Sequence, residues 1–190
     1  MARRVFNFDN PDRFVAGTVG QPGSRTFYLQ ARDGDRIVSV TLEKVQVSLL
    51  AERLTQLLAE VRERGAAVPE EPAPAEVDTA PLDEPMNEAF RVGTMAIVWD
   101  GEEESIVVEA SAMTEEDEAP EGALDADDDD EDHEDDESDV VRVHLTTRKA
   151  LAFAKRALDL VAAGRPPCPF CGQPLNPEGH ICARRNGFMH

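Results

Sequence analysis

The sequence predicts an α+β fold: a duplicated β-meander-plus-helix unit, in which an antiparallel sheet is packed by two helices, with a small C-terminal zinc-binding tail. Three observations support this prediction. Short runs of alternating apolar and polar residues indicate strands, and two longer segments with apolar residues at three- and four-residue steps indicate amphipathic helices. All three cysteines lie in the last twenty-three residues, after the second predicted helix.

The first predicted unit, residues 1–64, is a β-β-β-β-α segment. Turn-forming residues separate its strands, and Asp33-Gly34 is typical of a hairpin turn. The helix is predicted from about Glu43 to Arg64, and Gly65 is a suitable stop. The strands are expected at about 3–9, 13–20, 25–32 and 36–42, and the apolar stripe of the helix consists of Val47, Leu50, Leu54, Leu57, Leu58 and Val61.

A linker is predicted at residues 65–88, because five prolines interleaved with Ala and Glu disfavour both helix and sheet. The second unit, residues 89–164, then repeats the order of strands and helix. Its strands are expected at about 90–99, 105–112 and 140–146, and its helix at about 147–163, with Leu151, Ala154, Leu158 and Val161 on one stripe and with Gly164 and Pro166-Pro167 after its end.

The two units share short sequence matches. Phe14-Val-Ala-Gly17-Thr18 aligns with Phe90-Arg-Val-Gly93-Thr94. We therefore expect a duplicated unit whose two sheets pair edge to edge or pack about a pseudo-two-fold axis. Gly17 and Gly93 lie inside predicted strands, where a bulge or a close backbone approach accounts for glycine and a ligand contact is the alternative.

The net charge of −20 comes mostly from one segment. Residues 114–139 contain seventeen acidic residues and no Lys or Arg, and the rest of the chain holds 22 acidic against 19 basic residues. We expect this acidic insert to be a solvated, disordered spacer, because like charges repel and few apolar residues are available for a core. The alternatives are that it binds a basic partner, or folds back onto Arg184 and Arg185.

The C-terminal segment, residues 165–190, carries the clearest chemistry. Cys168, Cys171, His180 and Cys182 form a CxxC-x8-HxC pattern, which is the four-ligand set of a closed structural zinc site. Two cysteines separated by two residues allow one tight turn to direct both sulfur atoms to one metal ion. A segment this short buries little apolar surface, so we expect its fold to depend on the zinc.

Other interpretations of the cysteines are less consistent with their surroundings. A redox CxxC begins a helix after a strand, whereas this pair follows two prolines and precedes a proline-rich loop. A nucleobase deaminase needs an upstream HxE, and neither His133 nor His144 provides one. His190 is the alternative to His180 as the fourth ligand, and thiols that are free or otherwise liganded are a further alternative.

We expect a cytoplasmic protein with reduced thiols. The first residues lack the apolar core of a signal peptide. No run approaches the ~18 apolar residues of a membrane span, so no membrane partner is expected. Cysteines grouped for metal binding agree with a reducing compartment.

Several short stretches carry a resemblance to a known family. They are Val5-Phe6-Asn7-Phe8-Asp9, Pro11-Asp12-Arg13-Phe14, Gly17-Thr18, Leu42-Glu43-Lys44, Ala51-Glu52-Arg53 and the tail CPFCGQPLNPEGHICARRNG. Through them the chain resembles an actinobacterial family of uncharacterised proteins that share a domain of unknown function. The resemblance implies a cytosolic protein with a zinc-ribbon-like C-terminus, and it implies no established activity. Ala183 departs from the Pro expected after the last cysteine, which leaves the ligands unaffected.

The function predicted from these features is a non-enzymatic adaptor that has a structural zinc site and binds an unidentified protein partner. Arg165, Arg184 and Arg185 give the tail a local positive patch on an acidic protein. Nucleic-acid binding through the tail is the alternative, but the net charge repels a polyanion, and the sequence has no basic stripe or aromatic platform.

An enzyme is the least consistent of the three functions. His144 lies in a predicted strand, where a histidine is more often a core or edge residue than a catalytic one. Asp9, Asp12 and Arg13 form a polar cluster at the first turn, and turn capping explains them as well as catalysis does. No catalytic residue is therefore predicted.

Overall fold

The computed structural model describes residues 3–21, 23–114, 138–164, 168–171 and 182. Within them the chain forms a seven-stranded sheet and two helices, so the predicted α+β class is confirmed. Each predicted strand and helix is present, with ends that differ by at most two residues. The elements are β1 (Val5–Asp9), β2 (Arg13–Val19), β3 (Thr26–Asp33), β4 (Arg36–Leu42), α1 (Lys44–Glu63), β5 (Glu88–Asp100), β6 (Ser105–Ala112), β7 (Val140–Thr146) and α2 (Thr147–Ala162).

The strands lie in the order β1-β7-β6-β5-β4-β3-β2. Consecutive strands from β2 to β4 and from β5 to β7 pair antiparallel, but β1 pairs with β7, and β4 with β5, in parallel. The prediction of an antiparallel sheet was therefore wrong at two of its pairings. The strands of these two pairs are joined by long segments, so no hairpin turn imposes the antiparallel direction on them.

The sheet is strongly curved, because its two edge strands are consecutive in the chain. Only residues 10–12 connect β1 to β2, so the end of one lies within about 15 Å of the start of the other. Seven flat strands would separate these edges by about 29 Å. The curvature also brings β4 to β1, where Arg36 Nη1 donates to the carbonyl oxygen of Asn7 at 3.0 Å.

The two helices pack against each other and contribute to one apolar core with the sheet. The first turn of α1 is stabilised at Glu43, whose backbone N donates to Gln46 Oε1 at 2.8 Å. Thr146 caps α2, because its Oγ1 accepts a hydrogen bond from the backbone N of Lys149. Each helix therefore follows a polar capping residue, which is Glu43 directly after β4 and Thr146 at the end of β7.

The predicted apolar stripe of α1 is correct, although Leu57 is only partly buried. In α2 the buried face differs from the predicted stripe, because Leu158 and Val161 are only partly buried. Of the buried alanines of α2, the predicted stripe contained only Ala154, and these small side chains allow the helix to approach its neighbours closely. The buried residues of α2 are Thr147, Ala150, Leu151, Ala152, Phe153, Ala154 and Ala157.

The two glycines that lie inside strands have different structural causes. A Cβ atom on Gly17 would lie 2.5 Å from Cγ of Leu82, so this position is a close approach of two chain segments. Gly93 lies where the β5–β6 register shifts between Val92 and Thr94, which is a bulge. Its carbonyl oxygen accepts from Gln46 at 3.0 Å. Neither glycine requires the ligand contact that the sequence left open.

The segment predicted as a linker crosses one face of the β2–β4 strands without forming a helix or strand up to Asn87. We call residues 75–83 the strap. Gln30 of β3 holds it by donating from Nε2 to the backbone oxygen of Asp83 at 3.0 Å and accepting from the backbone N of Asp83 at 2.8 Å. The strap buries this face, and Gln30 itself is 1 % exposed.

Most of the acidic insert, residues 115–137, lies outside the described residues. Its two ends leave the sheet side by side, because the backbone N of Ala112 donates to the carbonyl oxygen of Asp139 at 2.7 Å. Asp139 also pairs with Arg4 just before β1. In the part of the chain that the structure describes, neither helix has the length and apolarity that a bilayer-crossing helix needs.

Candidate metal centre

The three cysteines lie together, although Cys182 is eleven residues after Cys171 in the sequence. Their Sγ atoms are all within 4.8 Å of one another, and the Sγ atoms of Cys168 and Cys182 are 4.0 Å apart. Cys168 and Cys182 are buried, and Cys171 is partly buried. These three side chains could hold a metal ion.

The spacing of the sulfur atoms suits metal binding better than a disulfide. A disulfide needs an S–S distance of about 2.05 Å, so the 4.0 Å between Cys168 and Cys182 is that of two free thiols. A tetrahedral zinc ion with Zn–S bonds of about 2.3 Å places its sulfur ligands about 3.8 Å apart. The geometry of the cysteines therefore fits a zinc ion without a large rearrangement.

The surroundings of Cys168 favour the thiolate, which is the form that binds a metal. Burial raises the pKa of Cys168, but hydrogen bonds from the backbone amides of Phe170 and Cys171 and from the neighbouring thiols outweigh it, so the net shift is downward. The tight CxxC turn produces this effect, because it aims consecutive amides at the first sulfur.

The predicted fourth ligand, His180, and its alternative, His190, lie outside the described residues. Arg165, Arg184 and Arg185, from which the sequence predicts a positive patch, also lie outside them. Phe170 lies between the first two cysteines, and the residue is 54 % exposed. It is the one large apolar side chain of the described tail residues that faces solvent.

His144 lies in a shallow depression of about 490 Å³ beside Asp9 and Ser105. Its Nε2 is 4.0 Å from Oδ1 of Asp9, which is beyond hydrogen-bond distance. The buried Ser105 hydroxyl has no hydrogen-bond partner among the described residues. The three residues therefore form no hydrogen-bonded nucleophile–base pair in this arrangement.

A second polar cluster lies beneath the strap. The Arg13 side chain is 8 % exposed, and it pairs with Asp78 (Nε to Oδ2, 2.5 Å) and Asp83 (Nη1 to Oδ2, 2.8 Å). Its Nη2 also donates to the carbonyl oxygens of Ala80 and Pro81. The hydrogen bond from Arg13 holds the pKa of Asp78 below its usual value, against the opposing effect of burial.

Arg156 of α2 completes this cluster. Its Nη1 donates to Asp78 Oδ1 at 2.8 Å, and its Nε donates to the carbonyl oxygen of Ala16 at 2.8 Å on the free edge of β2. Sequence reasoning singled out Arg13 but missed Asp78, Asp83 and Arg156. Because Asp78 and Asp83 lie in a Pro/Ala/Glu-rich segment, nothing in the local pattern marks them as partners of a buried arginine.

Comparison with known proteins identifies a family. The model of the family described as "Protein of unknown function (DUF3090)" matches residues 6–182. No curated protein and no solved structure matches the chain. The family match covers the sheet except Val5, both helices and the three cysteines.

Proposed function

Since the chain belongs to DUF3090, a family of proteins of unknown function, we propose its role from its own chemistry: a zinc-binding adaptor, without catalytic activity, for a protein partner. The zinc ion is structural, and Cys168, Cys171, His180 and Cys182 are its ligands. The observation that carries the proposal is the convergence of three Sγ atoms within 4.8 Å.

Zinc accounts for this convergence better than packing does. Three thiols crowded into one small volume gain little from apolar contact, and as thiolates they would repel one another. A divalent cation converts that repulsion into attraction, and the hydrogen bonds that lower the pKa of Cys168 assist its deprotonation. A complete set of four protein ligands leaves no position for a reactive water, which favours a structural site over a catalytic one.

The adaptor role is supported by Phe170. This residue is 54 % exposed in the turn between two ligands, where the metal would fix its position. A rigid, solvent-facing aromatic side chain is a typical anchor of a protein interface. Nucleic-acid binding has less support, because the net charge of −20 repels a polyanion.

The rest of the chain is assigned scaffold and spacer roles. We assign β2–β4 with α1, and β5–β7 with α2, to two copies of one duplicated unit, joined by the parallel β4–β5 pairing. The acidic insert acts as a solvated spacer that leaves and re-enters the sheet at one point, since Ala112 and Asp139 are hydrogen-bonded. This arrangement keeps the negative charge on one appendage of a nearly neutral body.

The first test measures the zinc content of the wild-type protein and of two variants. The full chain, purified without added metal, is expected to contain about one zinc ion per molecule by elemental analysis. The double variant Cys168→Ser/Cys171→Ser is expected to contain none, and Phe170→Ser, which keeps every ligand, is expected to retain it. Zinc absent from the wild-type protein rules out the metal centre.

Partner capture then compares the same three proteins, with nuclease treatment as a control. A nuclease-resistant protein partner that is lost from both Phe170→Ser and the cysteine double variant supports the adaptor role at this surface. A partner that Phe170→Ser retains in full rules out Phe170 as its anchor. Loss of all binding on nuclease treatment favours the nucleic-acid alternative.

A further inference from the structure

A cavity of about 540 Å³, which none of the cysteines lines, lies between the start of β2, one face of α2 and the strap. The residues of α2 that line it recur at steps of three and four, so they lie on one helical face. Apolar residues occupy the middle of this face and cations its two ends. These residues are Arg148, Lys149, Ala152, Phe153 and Arg156.

The apolar wall of the cavity is well defined. Phe14 of β2 stacks on Phe153 of α2, with ring centroids 4.6 Å apart. Ala152 opens space beside this pair because its side chain is small, and Ala75 of the strap lies among the lining residues. The volume is within the range of about 300 to 1,000 Å³ found for small-molecule sites.

The polar groups around the cavity carry a small positive excess in an acidic protein. The lining residues, together with the ion pair between Arg32 and Asp83, include five cations and four acids. The cations are Arg13, Arg32, Arg148, Lys149 and Arg156, and the acids are Asp12, Glu76, Asp78 and Asp83. The positive end of the α2 dipole adds to this excess. The electrostatic field inside the cavity therefore favours one further negative charge.

The ammonium group of Lys149 has one N–H donor more than the acceptors it contacts among the described residues. Its Nζ donates to the carbonyl oxygens of Pro11 at 2.6 Å and Asn10 at 3.3 Å, and it has no carboxylate partner among the described residues. An ammonium group has three donors, so one N–H remains for a further acceptor.

Arg156 is also incompletely compensated. Burial lowers the pKa of Arg156, and repulsion from Arg13 adds to this, so that attraction to Asp78 does not restore the usual pKa. A negative charge bound in the cavity would offset both effects. Lys149 and Arg156, at the two ends of the α2 face, thus both favour a negatively charged ligand.

We propose that this cavity binds a small organic anion. Its carboxylate or phosphate group lies near Lys149 and the N-terminus of α2, and its apolar part lies against Phe14, Ala152 and Phe153. The site is independent of the cysteine cluster and shares no residue with it.

Titration calorimetry of the full chain at low ionic strength tests the site with four probes. Benzoate and phenyl phosphate carry both required features, benzyl alcohol lacks the charge, and inorganic phosphate lacks the apolar part. At least one of the first two probes is expected to bind at least tenfold more tightly than either of the other two. The proposal is overturned if neither benzoate nor phenyl phosphate binds, or if neither of them binds more tightly than both benzyl alcohol and inorganic phosphate.

Variants locate the binding. Lys149→Gln is expected to weaken binding about tenfold, whereas Lys155→Gln, on the same helix but paired with Asp159 outside the cavity, leaves it unchanged. Ala152→Leu fills the cavity from α2 and is expected to abolish binding. Ala75→Leu fills it from the exposed strap, so it provides the same test if Ala152→Leu fails to fold. Equal losses in Lys149→Gln and Lys155→Gln, or full binding by a folded filling variant, overturns the proposal.

Discussion

Leu82 occupies the space that a side chain at Gly17 would need. A Cβ on Gly17 would lie 2.5 Å from Cγ of Leu82 and 2.6 and 2.9 Å from its two Cδ atoms. The two residues are 65 positions apart, and their contact places the strap directly on β2. Gly17 thus allows an irregular segment to close over a sheet face.

Replacing Gly17 with alanine is expected to lower the free energy of unfolding by about 1 to 2 kcal/mol, because Leu82 must move. Chemical denaturation measures the change. Gly101→Ala is the matched control, since a Cβ there meets nothing nearer than Trp99 Nε1 at 3.5 Å. The double variant Gly17→Ala/Leu82→Ala should lose less stability than the two single changes together. Strict additivity would contradict the contact.

The salt bridges of Asp78 are expected to make stability depend on pH. Asp78→Asn should lower the free energy of unfolding by about 1 to 3 kcal/mol near neutral pH. The pKa of Asp78 is lowered by Arg13, so this contribution is present above the unfolded-state pKa of about 3.9 and is lost as pH falls through the folded-state value. The difference between wild type and variant should therefore be constant from pH 7 to 5 and shrink below about pH 4.

Asp139→Asn is the matched comparison for Asp78→Asn. Its partner Arg4 is 60 % exposed, whereas the Arg13 partner of Asp78 is 8 % exposed. The loss should be smaller for Asp139→Asn, and added salt should reduce it further, because exposed ion pairs are screened. Identical losses in the two variants would show that the burial of Arg13 does not strengthen its ion pair with Asp78.

The fourth zinc ligand is expected to be His180. His180→Ala should weaken zinc binding by at least about tenfold, since removing even an outer-shell partner costs about 10- to 100-fold. His190→Ala should leave the affinity unchanged. Competition with a coloured chelator measures both, and the opposite pattern would assign the ligand to His190.

Shortening the acidic insert is expected to stabilise the protein. If residues 115–137 form a flexible loop, replacing them with about four Gly/Ser residues lowers the entropic free-energy cost of closing the loop by about 1.5 kcal/mol. The adjacent ends at Ala112 and Asp139 allow such a short connection. Urea denaturation measures the gain, and a loss of stability would show that the insert contributes contacts to the fold.

The order of the secondary structure was predictable because each element has a local signal. The alternation in Arg36–Leu42 and the spacing of Val47, Leu50 and Leu54 follow directly from the periods of a strand and a helix. A bulge at Gly93 was also predictable as one of the two local explanations for a glycine inside a strand. The face of α2 was less predictable, because alanines pack against many neighbours without producing a strong apolar pattern.

The sequence by itself determined the strands and the helices, and it marked Cys168, Cys171 and Cys182 as candidate ligands, since these features depend on residues at most fifteen positions apart. Only the tertiary structure decided which strands pair in parallel and how the sheet curves. It also brought Asp78 to Arg13 and Arg156, across 65 and 78 residues. Such contacts depend on the path of the whole chain, and the short-range periodicity of a sequence carries no record of that path.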